Sequence, residues 1–364
     1  MSQERFGVGA DLRQARTLPA DFYRSQAIYD ELLELVLAPS WQWIGHQREL
    51  AQPGSVQPLR FLQGSLDEPL LLSRDTAGVL RLMSNVCTHR ANLLVQAPGL
   101  LKKLRCRYHG RSFELDGRFE AMPEFEGAEC FPSAADDLPA VALESLEGLL
   151  FGSLAPKHAF EDCLGDLRTR LAHLPIESFR LDPVHSEDYE VEAHWALYVD
   201  NFLEGFHIPY VHPALAKVLD YRSYSAELFE RSNLQLGLAK SSEPAFDEAP
   251  ASPDAGKRVG AYYYWLYPNT MLNFYPWGLS INVVQPQGLR HTKVSFHSYV
   301  WKPERMGEGA GGALDLVQGE DEEVVESVQR GIDSRLYQRG RFSPEREACV
   351  HHFHRLLQAD LGTS

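Results

Sequence analysis

The chain has 364 residues, a length that suggests two domains. Its formal net charge of −15 argues against nucleic acid or an anionic membrane surface as a partner, because both call for basic patches. No stretch reaches the roughly 18 consecutive apolar residues of a membrane span, and residues 1–5 lack the apolar core of a signal peptide. We therefore expect a cytoplasmic protein.

The first 40 residues are predicted to form an arm and one helix that pack on the second domain. Ser25 is placed to cap this helix, and the apolar stripe that follows ends before Pro39. From residue 41 to residue 155 the pattern changes to short strand-like runs separated by turns. The predicted strands are residues 59–62, 70–73, 79–84, 113–119 and 149–153. This part of the chain is predicted to be an all-β domain.

Residues 156–364 form the predicted second domain. A helical pattern covers residues 158–174, and a last helix is predicted to start at Ser343. Residues 240–258 are a polar loop, either a lid or a simple surface loop. Four strand-like runs cover residues 228–238, 261–267, 279–285 and 292–301. Strands in series flanked by helices predict an α+β domain with an antiparallel sheet.

The all-β domain carries a distinctive pattern of cysteine and histidine. Cys87 and His89 form one pair, and Cys106 and His109 form a second pair further along the chain. Two thiolates and two imidazoles are the ligand set of a Rieske [2Fe–2S] cluster. The alternative is a zinc site, but zinc motifs usually place two cysteines in one loop and two histidines in the other. We therefore predict a Rieske cluster at two loop tips.

A second constellation lies in the α+β domain. Asn201, Glu204 and His207 follow one another at three-residue intervals, so they would share one face of a helix. Pro209 should kink or end that helix and let His212 turn back toward His207. Two imidazoles and one carboxylate form the facial triad that holds non-haem Fe(II). The alternative is a pair of core histidines bonded to the backbone.

The carboxylate of such a triad must come from the C-terminal part of the chain. The candidates are Asp315, Glu320, Asp321, Glu322, Glu323 and Glu326. Apolar residues at helical spacing, namely Val324, Val325, Val328 and Ile332, predict the buried stripe of a helix. Asp321 lies on the face of that stripe and would need a cation, whereas Glu322 and Glu323 point away. The alternative role for Asp321 is a carboxylate near a helix N-terminus.

With both motifs in this order, the chain resembles the α subunits of Rieske non-haem iron oxygenases, nearest to choline monooxygenase-like members. The resemblance implies a helix-grip (START-like) fold for the catalytic domain and a homotrimer. It also implies that Glu204, where most members have Asp, links His207 to His109 of a neighbouring subunit, with Asn201 as a further catalytic residue. The position of Asp321 in the family pattern supports it as the third iron ligand.

The implied activity is that of a terminal oxygenase that uses O2 and two electrons. The glycine run from Gly307 to Gly312 lacks the flanking strand and helix of a nucleotide-binding turn, so a separate NAD(P)H-dependent reductase, directly or through a ferredoxin, should supply the electrons. Hydroxylation or demethylation of a quaternary amine is the leading prediction, with hydroxylation or O-demethylation of an aromatic compound as the alternative. A Rieske electron carrier without oxygenase activity is the alternative outside the enzymes.

Aromatic residues are concentrated where the substrate pocket is expected. Tyr264, Trp265, Phe274 and Trp277 are the predicted pocket residues. Aromatic rings around a cation are the usual way to hold a trimethylammonium group. The alternative for each of them is a place in the core of the sheet, and strand alternation allows at most half of the row to face one cavity.

Overall fold

The computed structural model describes residues 5–247, 252–312 and 314–362. The chain divides into two compact units, one formed by Ala38–Lys157 and the other by Met1–Leu37 together with His158–Ser364. The sequence places the corresponding boundaries at residues 41 and 155. Within the described residues, helices with the length and apolar character needed to cross a membrane are absent.

The smaller unit is built from short antiparallel strands. They are β1 (Gln42–His46), β2 (Ser55–Phe61), β3 (Glu68–Arg74), β4 (Leu80–Ser84), β5 (Gly99–Leu100), β6 (Leu104–Arg105), β7 (Ser112–Phe113), β8 (Phe119–Ala121), β9 (Ala140–Leu146) and β10 (Leu149–Ser153). Seven of them form a sheet in the order β1-β10-β9-β4-β3-β2-β5, and β6-β7-β8 form a second, three-stranded sheet. The all-β prediction is confirmed for this unit.

The core of the smaller unit reaches into both cysteine-bearing loops. Leu71, Met83 and Phe113 are buried in one apolar cluster that also contains Cys87 and Cys106. Burial of this apolar cluster therefore stabilises the sheet and also fixes the positions of the two cysteines at which the loops begin.

The larger unit contains the α-helices. They are α1 (Ala20–Arg24), α2 (Gln26–Leu32), α3 (Phe160–Leu164), α4 (Leu167–Arg170), α5 (Trp195–Phe202), α6 (Ile208–Val211), α7 (Leu215–Val218), α8 (Leu314–Ile332) and α9 (Ala348–Leu361). A π-helix over Leu33–Leu37 continues α2, and short 3-10 turns of this unit occur at Ile176–Ser178, Tyr221–Ser223, Pro303–Arg305 and Gly309–Gly311. The smaller unit has 3-10 turns at Gln47–Leu50 and Ala134–Asp136. Ser25 caps α2 as predicted, because its hydroxyl accepts a hydrogen bond from the Ile28 N–H.

One antiparallel sheet runs through the larger unit. Its strands are β11 (Arg180–Val191), β12 (Ser225–Leu228), β13 (Ser232–Leu238), β14 (Val259–Leu266), β15 (Thr270–Tyr275), β16 (Gly278–Gly288) and β17 (His291–Val300). The spatial order is β11-β17-β16-β15-β14-β13-β12. Helix α5 packs against both α8 and β16. The predicted α+β class with an antiparallel sheet is confirmed.

Three local predictions differ from the structure. The helix predicted over residues 158–174 is broken into α3 and α4 at Gly165, where φ is +59° and an added Cβ would lie 2.5 Å from the ring of Phe229. Strand β15 was missed because all six of its residues are buried, so it shows no alternation. The last helix begins at Ala348 and not at Ser343.

The polar loop predicted at residues 240–258 is only partly described, since residues 248–251 lie outside the described ranges. Its second half is held by a buried ion pair. The Asp254 carboxylate accepts from the Arg170 guanidinium at 3.0 Å and from Lys257 at 2.8 Å.

Candidate active site

Two loops of the smaller unit carry the predicted cluster ligands. In the first loop the Ala91 N–H donates to the Cys87 carbonyl at 3.0 Å, and in the second the Gly110 N–H donates to the Cys106 carbonyl at 3.1 Å. Gly110 has a φ of +79°, a conformation that strains other residues. The two loops therefore turn in the same way, each starting from a buried cysteine.

The two histidines of these loops lie together, and so do the two cysteines. The rings of His89 and His109 have centroids 4.8 Å apart. Burial raises the pKa of Cys87, and the neighbouring Cys106 thiol contributes to the same shift. The Nδ1 atom of His109 is buried without a hydrogen-bond partner within the described parts of the chain. A thiol pair beside an imidazole pair, with a free ring nitrogen, fits a [2Fe–2S] cluster whose two irons take different ligands.

The second constellation is organised around a break between two helices. Helix α5 ends at Phe202, so Asn201 is helical but Glu204 and His207 lie in the turn that follows. The prediction of one continuous helical face was wrong, and the break precedes Pro209, which lies in the first turn of α6. Gly205 allows the ring of Tyr224 to pack against this turn, because an added Cβ there would lie 2.9 Å from that ring.

The turn nevertheless brings the three predicted ligand side chains together. His207 Nε2 lies 3.1 Å from His212 Nε2, and His212 Nε2 lies 3.0 Å from Asp321 Oδ1. One ligand atom from each of the three residues falls within 4.8 Å of the others. Asn201 adds a hydrogen bond from its Nδ2 to Asp321 Oδ1 at 2.6 Å. Two imidazoles and one carboxylate converging on one point match the donor set of non-haem Fe(II).

Each histidine of this group is held by a glutamate through its other ring nitrogen. Glu204 Oε1 lies 2.7 Å from His207 Nδ1, and Glu320 Oε2 lies 2.7 Å from His212 Nδ1. Burial lowers the pKa of His212, but hydrogen bonds to Asp321 and Glu320 outweigh burial and raise it overall. These contacts place the N–H on Nδ1 and aim Nε2 at the common point.

The partner role of Glu320 was not predicted from the sequence. It was considered only as an alternative to Asp321 for the third ligand. The available signal was its position next to Asp321. Although adjacent residues on a helix point about 100° apart, Glu320 and Asp321 here reach the two ring nitrogens of His212.

The other carboxylates that competed with Asp321 have different contacts. Asp315 accepts from the Tyr189 hydroxyl at 3.0 Å, and Glu326 accepts from a backbone N–H at 3.0 Å.

The predicted apolar stripe of α8 is only partly correct. Val325 and Ile332 are buried, but Val328 is 44% exposed.

A cavity of about 100 Å3 opens beside the three ligand atoms. Its aromatic lining consists of Tyr198, Phe202, Tyr224, Tyr263, Tyr275 and Phe296. The rings of Tyr263 and Tyr275 meet edge to face with centroids 5.9 Å apart. Burial raises the pKa of both phenols, so these two rings are neutral at physiological pH. Among the described residues that line the cavity there is no lysine and no arginine.

The two halves of the chain match two family models. A Rieske [2Fe–2S] domain model matches residues 40–132, and a model described as the ring hydroxylating alpha subunit (catalytic domain) matches residues 179–362. The second match alone covers half of the chain. The chain belongs to the Rieske non-haem iron oxygenases. It is therefore an oxygenase that carries a Rieske [2Fe–2S] cluster and a mononuclear iron.

Curated members of this family align with nearly the whole chain. The choline monooxygenase of Arabidopsis thaliana chloroplasts is 30% identical over 96% of this chain and 84% of its own length. The carnitine monooxygenase oxygenase subunit of Escherichia coli K12 is 30% identical over 96% of this chain and 94% of its own length. These are the names of relatives, and each describes the relative's own substrate.

Solved structures of the family share the fold. A quaternary ammonium Rieske monooxygenase superposes with a TM-score of 0.78 at 26% identity, covering 98% of both chains. Naphthalene 1,2-dioxygenase from Rhodococcus sp. superposes with a TM-score of 0.75 at 19% identity, covering 96% of this chain and 95% of its own. The second likeness is one of fold alone.

None of the four residues predicted for the substrate pocket lines this cavity. Tyr264 and Phe274 lie on the opposite face of the sheet from Tyr263. The Tyr264 hydroxyl donates to Asp166 at 2.7 Å there. Strand alternation separates neighbouring residues in this way.

The other two predicted pocket residues belong to the core. Trp265 packs against Phe353 of α9 with ring centroids 5.3 Å apart. Trp277 stacks on Tyr275 at 5.4 Å, behind the ring that faces the cavity. The cavity is lined by Tyr263 and Tyr275, the sequence neighbours of the residues chosen for the pocket, and not by the chosen residues themselves.

Proposed function

We propose that this oxygenase hydroxylates a quaternary amine, using O2 and two electrons delivered by a separate NAD(P)H-dependent reductase. The observation that carries the proposal is the cavity beside the three converging ligand atoms, which is lined by aromatic rings and carboxylates without a lysine or arginine among the described residues. Each ring that faces a trimethylammonium group contributes about 0.5–2 kcal/mol. The choline and carnitine monooxygenases among the relatives support the same substrate class.

We assign the mononuclear Fe(II) to His207, His212 and Asp321, whose ligand atoms converge. We assign the cluster to Cys87, His89, Cys106 and His109. When bound, the mononuclear iron supplies the site at which O2 is activated beside the substrate. Asn201 holds the Asp321 carboxylate in place, and Glu204 and Glu320 hold the two imidazoles.

Glu204 has a second proposed role in electron delivery. As in the family pattern, it would join His207 to the partner subunit's His109 in a homotrimer, since a head-to-tail ring lets each cluster serve the next subunit. Its Oε2 already accepts the backbone N–H groups of Phe206 and His207. A carboxylate has about four lone-pair sites, so one further hydrogen bond is compatible with these contacts.

Substrate-dependent oxidation of the pre-reduced cluster tests the proposed substrate class. Choline or another quaternary amine, mixed with O2, should accelerate cluster oxidation in a single turnover, whereas benzoate should not. Stimulation by benzoate alone would favour the aromatic substrate.

Iron content separates the oxygenase from an electron carrier, because about three iron atoms per chain are expected for the oxygenase and about two for the electron carrier.

The cluster ligands can be tested separately from the mononuclear site. His89→Ala or Cys106→Ser should abolish the Rieske EPR signal of the reduced protein, because one cluster iron then lacks a ligand. Mononuclear iron should remain, since the two sites share no ligand. A Rieske signal that persists in both variants would contradict the cluster assignment.

Glu320 should act on iron affinity through His212. Glu320→Gln weakens the hydrogen bond to His212 Nδ1 and should lower the affinity for mononuclear iron about 10–100-fold, with the cluster spectrum unchanged. Titration of the apoprotein with Fe(II) measures the change. Glu323→Gln is the matched control on the exposed side of the same helix. Equal affinities for the two variants would show that Glu320 has no positioning role.

A further inference from the structure

We infer that the cavity selects a quaternary ammonium ion whose remaining substituent is uncharged and carries a hydroxyl group, and that it disfavours one that ends in a carboxylate. This inference rests on the proposed function, since it assumes a quaternary amine at this site. It assigns the discrimination to the charge of the lining and to two polar side chains, Asn273 and Gln318.

The charge of the lining leaves a substrate carboxylate without a partner. The ionisable groups that line the cavity in the described chain are Glu204, Asp321, His207, His212 and four tyrosines. With Fe(II) bound, the charge of the metal must be counted as well. Two positive charges are then offset by Asp321 and Glu204, so the lining is close to neutral. A buried carboxylate in such a site loses its water and gains no cationic side chain.

Two amide atoms in the lining have no protein partner. The hydroxyl of Tyr198 donates to Gln318 Oε1, which leaves Gln318 Nε2 buried and unpaired within the described structure. Asn273 Oδ1 is also buried and unpaired there. Gln318 is only 1% exposed and Asn273 only 2%. Unpaired buried polar groups are rare in proteins, so these two atoms are candidates for contact with a ligand.

Two further amide atoms of the lining have protein partners. Gln235 Nε2 donates to the Phe202 carbonyl at 2.7 Å, and Asn282 Oδ1 accepts from Ser280 at 2.7 Å. Among the described lining residues, Gln318 therefore brings one buried unpaired donor and Asn273 one buried unpaired acceptor. A hydroxyl group can both donate and accept, whereas a carboxylate can only accept. A hydroxyl-bearing tail matches this pair.

Binding by isothermal titration calorimetry of the holoenzyme, without reductant, tests the inference with four ligands. Choline carries the cation and the hydroxyl, ethyltrimethylammonium lacks the hydroxyl, and L-carnitine adds a carboxylate. In the primary amide of L-carnitine the carboxylate is replaced by an uncharged amide of nearly the same size. We expect choline to bind about tenfold more tightly than ethyltrimethylammonium. We expect carnitine amide to bind at least about tenfold more tightly than L-carnitine.

Two glutamines of α8 provide a matched pair of variants. Gln318 and Gln329 are both buried, and each accepts one hydrogen bond on Oε1. Each has an Nε2 without a partner among the described residues, but only Gln318 lines the cavity. Gln318→Leu should reduce choline affinity about tenfold and leave ethyltrimethylammonium affinity unchanged. Gln329→Leu removes the acceptor of the His194 N–H and should leave both affinities unchanged.

The outcomes separate this inference from the proposed function. L-carnitine that binds as tightly as its amide, or a Gln318→Leu variant that binds choline normally, would overturn the inference while the quaternary-amine assignment stands. If none of the four ammonium ions binds and benzoate does, the proposed function fails. The wild-type ligand series answers the question even if a variant does not fold.

Discussion

Asp321→Ala should lose mononuclear iron and all turnover while it keeps the Rieske spectrum. The substitution removes the one carboxylate of the converging group and leaves two imidazoles. Iron affinity should therefore fall by more than about 100-fold, because loss of a residue that only hydrogen-bonds to a ligand typically costs about 10–100-fold. The fold should survive, because Val325 and Ile332 still bury the apolar side of α8. Iron analysis and EPR of the purified variant measure the two sites together.

The control for this experiment is Glu323→Ala, two residues further along the same helix. Glu323 is exposed, so its removal should change neither iron content nor turnover. Equal iron loss in both variants would point to a general effect on α8. Full iron retention in Asp321→Ala would show that the third ligand is another residue.

Glu204→Gln should weaken iron binding as Glu320→Gln does, since each glutamate holds the Nδ1 of one histidine, but at full iron occupancy it should also oxidise its cluster about 10–100-fold more slowly in a single turnover. Glutamate offers two acceptor oxygens, one directed at His207 Nδ1 and one at the backbone of the turn. Glutamine has only one acceptor oxygen and adds an NH2 donor, so one accepted hydrogen bond is lost. The proposed link to the partner subunit's His109 then competes with the local contacts for a single oxygen.

Two control variants show whether the slower cluster oxidation comes from the lost acceptor oxygen of Glu204. Glu204→Asp retains two acceptor oxygens and should lose less of the rate than Glu204→Gln. Glu320→Gln, measured at full iron occupancy, changes the contact of the other histidine and should oxidise its cluster at nearly the wild-type rate. Unchanged cluster oxidation in Glu204→Gln would mean that electrons reach the mononuclear site by another route, with Asp200 as the next candidate.

The sequence was most informative where chemistry requires particular residues. The spacing of Cys87, His89, Cys106 and His109 led to the cluster, and the family matches confirm a Rieske domain. His207, His212 and Asp321 were chosen before any geometry was available, and the structure brings them together. A metal accepts few residue types, so residue type and order reduce the candidate ligands to a short set.

The sequence was least informative where tertiary packing decides the outcome. At Gly205 the ring of Tyr224 packs closely against the turn, a contact that no local sequence pattern reveals. Strand β15 is buried on both faces and lacks alternation. The choice between Tyr263 and Tyr264 depends on strand register and on what covers each face, because adjacent aromatic residues look alike in sequence. The contact of Glu320 with His212 also depends on tertiary packing, so the sequence shows Glu320 only as one of several candidate carboxylates.

The most direct test of the proposed activity is isotope tracing with 18O2. The pre-reduced enzyme should insert one atom of 18O into a C–H bond of choline, and the two electrons supplied reduce the second atom to water. Because every C–H carbon of choline bears oxygen or nitrogen, the product collapses to a carbonyl compound and must be reduced with borohydride as it forms, before its label exchanges with water. Mass spectrometry of the product, set against the amount of cluster oxidised, measures this incorporation. Cluster oxidation by choline without 18O in any product, or 18O incorporation only into aromatic substrates, would contradict the assignment of a quaternary-amine oxygenase.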